Sequence, residues 1–368
     1  MSPRSRGVAQ PGSAFVWGTK GRRFKSGRSD HFHFTLQEAG TPAMPLHQRD
    51  LEAVRTAWPQ LGGATLTLIN HSENHTFRAD LPGGERFCLR VHRPAYQSPV
   101  TIESELAWLA ALERDTDLPL PQPVPGANGR LLQTVTTAAG ESRNAVLFSF
   151  IAGSEPAIHA ELTPLFATLG DYAARLHAHT LAWPRPAGFV RQAWNAATIL
   201  DPDGLWGDWR VAPGVDGAIR PLLDRLDTEL RARLAAYGTS SERYGLIHAD
   251  MRLGNLLVDG DTVSLIDFDD CGFCWFTYDF AAAISFHETH ASVPDLREAW
   301  LSAYQTRRPL SAADIASLDS MVMLRRMALL TFIGSHIETE LAQTHLPGFA
   351  AGTAELAERY LGGAIWPD

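Results

Sequence analysis

One stretch leaves this chain few options: Leu246-Ile247-His248-Ala249-Asp250-Met251-Arg252-Leu253-Gly254-Asn255-Leu256-Leu257-Val258, followed by Ser264-Leu265-Ile266-Asp267-Phe268-Asp269-Asp270. Its apolar runs and the turn Asp259-Gly260-Asp261 read as strand, loop, short strand, turn and short strand. Asp250 and Asn255 stand five apart on one loop, and Asp267 arrives after the hairpin. A carboxylate that can take or orient a proton, beside an amide and a second carboxylate that can share a divalent cation, is what phosphoryl transfer from ATP requires. In this reading Asp250 serves the attacking hydroxyl. Asn255 and Asp267 hold Mg2+, a hard ion that prefers oxygen ligands. Turn chemistry accounts for Asp and Asn in loops, but not for all three at these spacings. His248 is expected to brace the loop by hydrogen bonds rather than to transfer protons.

The rest of the chain must supply a nucleotide site, and 368 residues allow two lobes with cores of their own. Hydrophobic and charged fractions of 45% and 20% are those of ordinary globular proteins. No apolar run reaches the roughly 18 residues of a membrane span. The most apolar helix candidate, Met321 to Ile333, is interrupted by Arg325-Arg326. The start shows no secretion signal. Cys88, Cys271 and Cys274 cannot build a disulfide framework, so the cytoplasm is the expected location. Cys271 and Cys274 have redox-motif spacing, but no second pair and no strand–helix–strand context accompanies them.

Charge is unevenly placed. Residues 1–43 hold seven Lys or Arg against Asp30 and Glu38, while the whole chain nets −9, so the remainder is strongly acidic. An acidic body disfavours nucleic acid as a partner. It mildly favours a cationic small substrate. Lys20 and Lys25 are the only lysines, so ATP phosphates must be met by arginine or backbone. Residues 1–43 lack apolar periodicity and read as a disordered or non-native extension, with Met44 as the natural initiator; a basic nucleic-acid-binding tail is the other reading.

From Leu46 to Trp58 a short helix is expected. Strands follow at Leu66–Ile69, Thr76–Asp80 and Arg86–Val91, between turn signals at Asn70–Asn74 and Pro82-Gly83-Gly84. A helix capped by Ser98, with Pro99 first and Ile102, Leu106, Leu109 and Leu112 on one face, comes next. After the Pro-rich connection Pro119–Pro125, strands are expected at Leu131–Thr136 and Ala145–Phe150. Beyond Gly153 the pattern turns helical. Thr163 caps a helix bearing Phe166, Leu169, Ala173 and Leu176. Further helices are expected at Pro221–Leu234, Asp279–His287, Asp295–Gln305, a segment opening Ser311-Ala312-Ala313-Asp314, the apolar Leu318–Leu341, and Ala354–Leu361. The expectation is an α+β, bilobal molecule: a small antiparallel sheet lobe with one helix (44–152), a larger helical lobe (153–368), and an active site in the cleft between them.

His248 to Asn255 with Asp267 matches the catalytic pattern of protein kinases. The chain as a whole resembles the aminoglycoside phosphotransferase family, protein-kinase-like kinases of small molecules. The matching features are Ser72 to Arg78, Cys88 to Val91, Glu105 with Leu109 and Leu112, Phe148 to Gly153, Leu169-Gly170 through His177, the catalytic stretch, and Tyr278 to Ala281. The resemblance implies ATP bound between the lobes and transfer of its γ-phosphoryl group to a hydroxyl of an aminoglycoside, choline, homoserine, sugar or related compound. It implies that Arg90 fills the place of the phosphate-gripping lysine, where its planar fork can hold phosphate oxygens. Glu105 is its expected partner, with Glu103 as the fallback.

The phosphate-covering loop lacks a G-x-G-x-x-G pattern, and the resemblance implies that Ser72 and Asn74 donate there instead. It also implies that backbone around Ser149, Phe150 and Ile151 reads adenine. Arg252 stands where a cation could neutralise the transferring phosphoryl group, or where a loop arginine is simply solvated. Asp269 is read either as an added ligand or as a turn residue. Asp279 is expected to cap a helix and brace the catalytic loop. Glu288, Glu338 and Glu340 are candidate partners for an amine on the acceptor. Two alternatives stay open: a stress-response-type Ser/Thr protein kinase, slightly favoured by Arg252, and a nucleotide-binding protein without turnover.

Overall fold

The computed structural model describes residues 48–71, 74–94, 96–137, 140–158 and 161–366; the expectations for residues 1–43, for Ser72 and for the start of the first helix at Leu46 lie outside them. The period-2 alternation after residue 64 becomes sheet. Helix α1 (Gln48–Ala57) precedes β1 (Thr65–His71), β2 (Asn74–Asp80) and β3 (Arg86–His92), an antiparallel meander. Helix α2 (Pro99–Asp115) starts where expected: the Thr101 N–H donates to Ser98 Oγ at 3.3 Å and Pro99 occupies the first turn. Ile102, Leu106, Leu109 and Leu112 are buried on one face, and Glu105 is buried with them.

The lobe closes with β4 (Pro123–Val124), β5 (Gln133–Thr136) and β6 (Ser142–Ser149). Among the described residues the sheet has six strands, in the order β1-β2-β3-β6-β4 with β5 also on β6, one more than the alternation predicts. The extra strand comes from the Pro-rich connection, Pro123 facing Phe148 and Val124 facing Leu147. A proline cannot donate to a ladder, so it is tolerated at a sheet edge. Two residues are also too few to show an alternation.

The helical lobe comprises α3 (Thr163–Ala182), α4 (Ala196–Leu200), α5 (Arg220–Tyr237), β7 (Tyr244–Ile247), β8 (Leu256–Asp259), β9 (Thr262–Leu265), β10 (Gly272–Trp275), α6 (Tyr278–Ala283), α7 (Val293–Arg307), α8 (Ala312–Ser335), α9 (Glu340–His345) and α10 (Phe349–Gly362). Residues 45–368 form one compact unit. At Gly153 φ is +139°, and a Cβ would stand 3.0 Å from the Val258 carbonyl oxygen. Helix α3 lies against α7 at Gly170, where a Cβ would stand 2.2 Å from the Trp300 carbonyl oxygen.

Several helix boundaries differ from the sequence reading, among them the start of α10 at Phe349 rather than Ala354. Leu162, not Thr163, occupies the cap of α3, and no side chain bonds there. The helix expected over 318–341 is two helices. A capping box, in which Ser311 Oγ receives the Asp314 N–H at 3.2 Å and the Asp314 carboxylate receives the Ser311 N–H at 2.8 Å, opens α8 at the segment expected to begin at Ser311 and joins it to the apolar run. Helix α8 then stops at Ser335, and Thr339 caps α9. Helix α6 ends at Ala283 rather than near His287, and Asp279 lies in its first turn while Thr277 takes the cap position. No helix among the described residues is long and apolar enough to cross a membrane.

Candidate active site

The cleft floor is built by β7, the loop that follows it, and the β8–β9 hairpin, whose two-residue loop Gly260-Asp261 places Gly260 at φ 57°. Ala249, immediately before Asp250, has φ 66°, and Asp267 has φ 62°. Positive φ outside glycine is uncommon and concentrates at functional sites. The surroundings hold the first of these turns in place. Asp279 accepts the Ala249 N–H at 2.7 Å and the His248 N–H at 3.3 Å, and its carboxylate meets His177 Nε2 at 2.9 Å. The brace expected of Asp279 is present, although the residue does not cap its helix. His248 also braces: Nδ1 accepts the Asp250 N–H at 3.2 Å and Nε2 donates to the Ile266 carbonyl at 3.2 Å. Burial holds the His248 imidazole neutral.

Asp250 is surrounded by donors, which leave capacity on Oδ1. Asn255 Nδ2 donates to its Oδ2 at 2.6 Å and to its carbonyl at 2.9 Å. Arg252 Nε stands 3.3 Å from Oδ2, and Arg325 Nη2 pairs with Oδ1. Burial alone would raise the Asp250 pKa, but Arg325 and Arg252 outweigh it and hold the group below the usual carboxylate value. With its amide nitrogen committed to Asp250, the side-chain atom of Asn255 that could hold a cation is its carbonyl oxygen. Arg325 escaped the sequence reading. Its signal was there: adjacent charges inside an otherwise apolar helix are tolerated only when paired. Arg325 also donates to Ser285 Oγ at 2.9 Å and faces the Trp206 ring at 5.9 Å.

Across the cleft, Arg90 Nη2 binds Glu105 Oε1 at 2.6 Å, and its Nη1 stands 3.4 Å from Asp267 Oδ1. Glu103 instead pairs with Arg130 at the surface. Burial opposes the Arg90 charge, yet Glu105, Asp269 and Asp267 more than offset it. Asp267 opens to the cleft, with 46% of its side chain accessible. It still lies deep among protein atoms. That burial, together with the charges of Asp269, Glu105 and Asp250, pushes its pKa up to about 7 against the pull of Arg90. Solvent in the cleft moderates this, and a cation would remove the repulsion altogether.

Among the described residues no three His, Cys, Asp or Glu converge into an all-protein metal cage. Mg2+ in phosphoryl-transfer sites takes one or two carboxylates plus substrate phosphates. The Asp267 carboxylate and Asn255 carbonyl fit that pattern.

Other expected residues have different partners. Asn74 Nδ2 donates to Asp269 Oδ2 at 2.9 Å, tying the β1–β2 edge to the loop after Asp267. Ser149 receives the Gln122 N–H on its hydroxyl at 3.0 Å and gives its own N–H to the Gln122 carbonyl at 2.8 Å. Phe150 lies under Arg86 at 4.6 Å, and Ile151 continues toward Gly153. Glu288 is buried, accepting Arg326 Nη1 at 2.6 Å and the Phe286 N–H at 3.2 Å, so an ion pair within the fold already occupies it. Glu338 faces Arg93 of the sheet lobe at 3.8 Å, and Glu340 is exposed. Cys88, Cys271 and Cys274 are free thiols.

Residues 65–315 match the phosphotransferase enzyme family. A solved structure of a microcompartment-associated aminopropanol kinase superposes with a TM-score of 0.77 at 43% identity, covering 85% of this chain and 97% of that one. Amicoumacin kinase of Bacillus subtilis is 23% identical over 269 residues, 70% of this chain and 76% of the relative. Homoserine kinase of Nitrobacter winogradskyi is 30% identical over 217 residues, 58% of this chain and 61% of the relative.

Proposed function

The chain belongs to the phosphotransferase enzyme family and is an ATP-dependent phosphotransferase acting on a hydroxyl of a small molecule; from that premise we propose that its acceptor is a small amino alcohol and its metal Mg2+. The observation that carries this reading is the 43% identity, over 85% of this chain and 97% of the other, to an aminopropanol kinase. Two features of the chain support it. The acidic body suits a cationic acceptor. Aromatic residues crowd the space behind Arg325: Trp206 packs on Trp194 at 4.9 Å and on Phe332 at 5.3 Å. A cytoplasmic location is part of the proposal, supported by the three free thiols.

In this mechanism Asp250 orients the acceptor hydroxyl and receives its proton as the phosphoryl group moves. Arg252, next to Asp250 and part-exposed, neutralises charge on the phosphoryl oxygens. Asn255 and Asp267 would hold Mg2+, which when bound would offset negative charge on the phosphates. Arg90, oriented by Glu105, grips the phosphates. Backbone at Phe150 and Ile151 reads adenine, and Asn74, with Ser72, covers the phosphates from the β1–β2 loop.

A protein acceptor gains no support from the segment after Asp270. Those few residues form β10, which pairs directly with β7 from Gly272 to Trp275 and so extends no platform for a peptide. The test is ATP consumption with 1-amino-2-propanol, ethanolamine, choline, homoserine, an aminoglycoside and casein, with Asp250→Asn as control. The amino alcohols are expected to give the highest kcat/KM. Preference for homoserine or casein would overturn the acceptor assignment, and undiminished turnover in Asp250→Asn would overturn the role of Asp250.

A further inference from the structure

We propose that Arg191 is a positioning residue for phosphoryl transfer, pinning the helix that carries Glu105 to the loop that carries Asp267. The inference rests on the assignment of these two residues to the nucleotide and metal site.

Residues 190–194 run as a strap between α2 and the segment 269–273. One edge is docked on α2, where the Val190 N–H donates to Ser104 Oγ at 2.9 Å. The other edge is docked on β10: the Gln192 carbonyl accepts the Phe273 N–H at 2.8 Å, and the Trp194 N–H donates to the Phe273 carbonyl at 2.8 Å. Trp194 Nε1 adds a bond to the Asp270 carbonyl at 2.8 Å. Between the edges lies the Arg191 guanidinium, in a residue 6% exposed. Its Nη1 donates to the Thr101 carbonyl of α2 at 3.0 Å, its Nε to the Cys271 carbonyl at 2.6 Å, and its Nη2 to the Asp269 carbonyl.

Three backbone carbonyls from two lobes thus converge on one side chain. The β9 ladder ends at Leu265, ahead of the left-handed turn at Asp267. Beyond it the Asp269 carbonyl also accepts Gln97 Nε2 at 3.2 Å, and a buried carbonyl without a partner, as Cys271 would present, is costly. A planar fork with N–H groups on three nitrogens can serve all three acceptors at once; an ammonium cannot match that geometry. The buried charge is itself offset by Glu105, Asp269 and Asp270 nearby.

Glu105 lies one turn along α2 from Thr101, and Asp267 two residues before Asp269. Phosphoryl transfer needs the cation–Glu pair and the metal Asp in place together. The strap fixes their separation without any modification of the loop. Withdrawing the guanidinium frees α2 and the metal loop to separate, which loosens Arg90 from Glu105 and the phosphates from the metal. Adenosine, held at the hinge, does not feel that separation.

The test uses the full chain and compares the Kd of MgATP with that of adenosine. Arg191→Met is expected to weaken MgATP at least tenfold while adenosine binds within twofold of the unsubstituted protein. Arg191→Lys, which keeps the charge and serves as the test if the methionine variant does not fold, is expected to show the same split at smaller size. Equal weakening of both ligands, or of neither, overturns the proposal. Failure of the unsubstituted protein to bind MgATP more tightly than adenosine would instead overturn the nucleotide-site assignment itself.

Discussion

Arg325 of α8 pairs with Oδ1 of Asp250, 75 residues away in sequence, and both partners are buried. Removing one member of a buried ion pair leaves an uncompensated charge, at a cost of about 3–5 kcal/mol. Arg252 still faces the Asp250 carboxylate, so Arg325→Met is expected to lower stability by no more than that. In an Asp250→Asn background, where no carboxylate charge is stranded, the cost should be smaller, giving a coupling of about 1–3 kcal/mol between the two sites. Urea unfolding of the four proteins measures it. Additive effects would show that the two side chains do not depend on each other.

The Arg90–Glu105 contact at 2.6 Å holds the guanidinium that is assigned to the phosphates. Hydrogen bonds to charged groups contribute about 1.5–3 kcal/mol. Arg90→Ala is accordingly expected to raise the KM for ATP roughly tenfold to a hundredfold, with the acceptor KM little changed. Steady-state kinetics with each substrate varied in turn decides this, and unchanged ATP kinetics would remove Arg90 from the nucleotide site.

What could be read in advance follows from how local each constraint is. The loop from His248 to Asn255, the hairpin to Asp267 and the capped helix bearing Glu105 are specified by residues within a few positions of one another. Arg325 and Arg191 are not. Their partners lie 75 to 90 residues away, and neither periodicity nor spacing encodes such a pairing. Strands β4 and β10 were missed for a related reason, since each is defined by the strand it meets and not by its own two to four residues. Apolarity alone ran two helices together at 318–341, because the break lies in side-chain chemistry: His336 stacks on Phe332 at 4.4 Å and Thr339 opens the next helix. Glu288 was read as a partner for an amine because sequence cannot show that Arg326 already holds it.

His92 lies on β3, buried, with both ring nitrogens among the buried atoms that lack a hydrogen-bond partner. Burial foremost, aided by the charges of Arg90 and Arg191, lowers its pKa from the ordinary 6.5 to about 3. The unfolded chain takes up a proton below pH 6.5 that the native state refuses until about pH 3, so stability present above that window is lost as pH falls through it. At pH 5 the loss is about 2 kcal/mol relative to pH 7. His92→Leu should flatten this part of the stability profile. Urea midpoints of both proteins at pH 7 and pH 5 check it; an equal change in both would mean that folding does not lower the His92 pKa.

Gly254 makes room for Arg252. A Cβ at position 254 would stand 2.2 Å from Arg252 Nη1 and 3.3 Å from Glu155 Oε1, and it meets no backbone atom more closely than these side-chain ends. The backbone there does not lie in the left-handed region, so alanine is compatible with the fold and the guanidinium is what must move. If Arg252 neutralises the phosphoryl group, Gly254→Ala should lower kcat nearly as far as Arg252→Ala does, on the order of a hundredfold for the loss of one well-placed donor. The double variant should be no slower than Arg252→Ala alone, because both changes remove the same contact. Thermal midpoints should differ little between Gly254→Ala and the unsubstituted protein, separating displacement of one side chain from damage to the loop. A Gly254→Ala enzyme with undiminished kcat, beside an impaired Arg252→Ala enzyme, would mean that Arg252 acts from a different position than the one it occupies against Asp250.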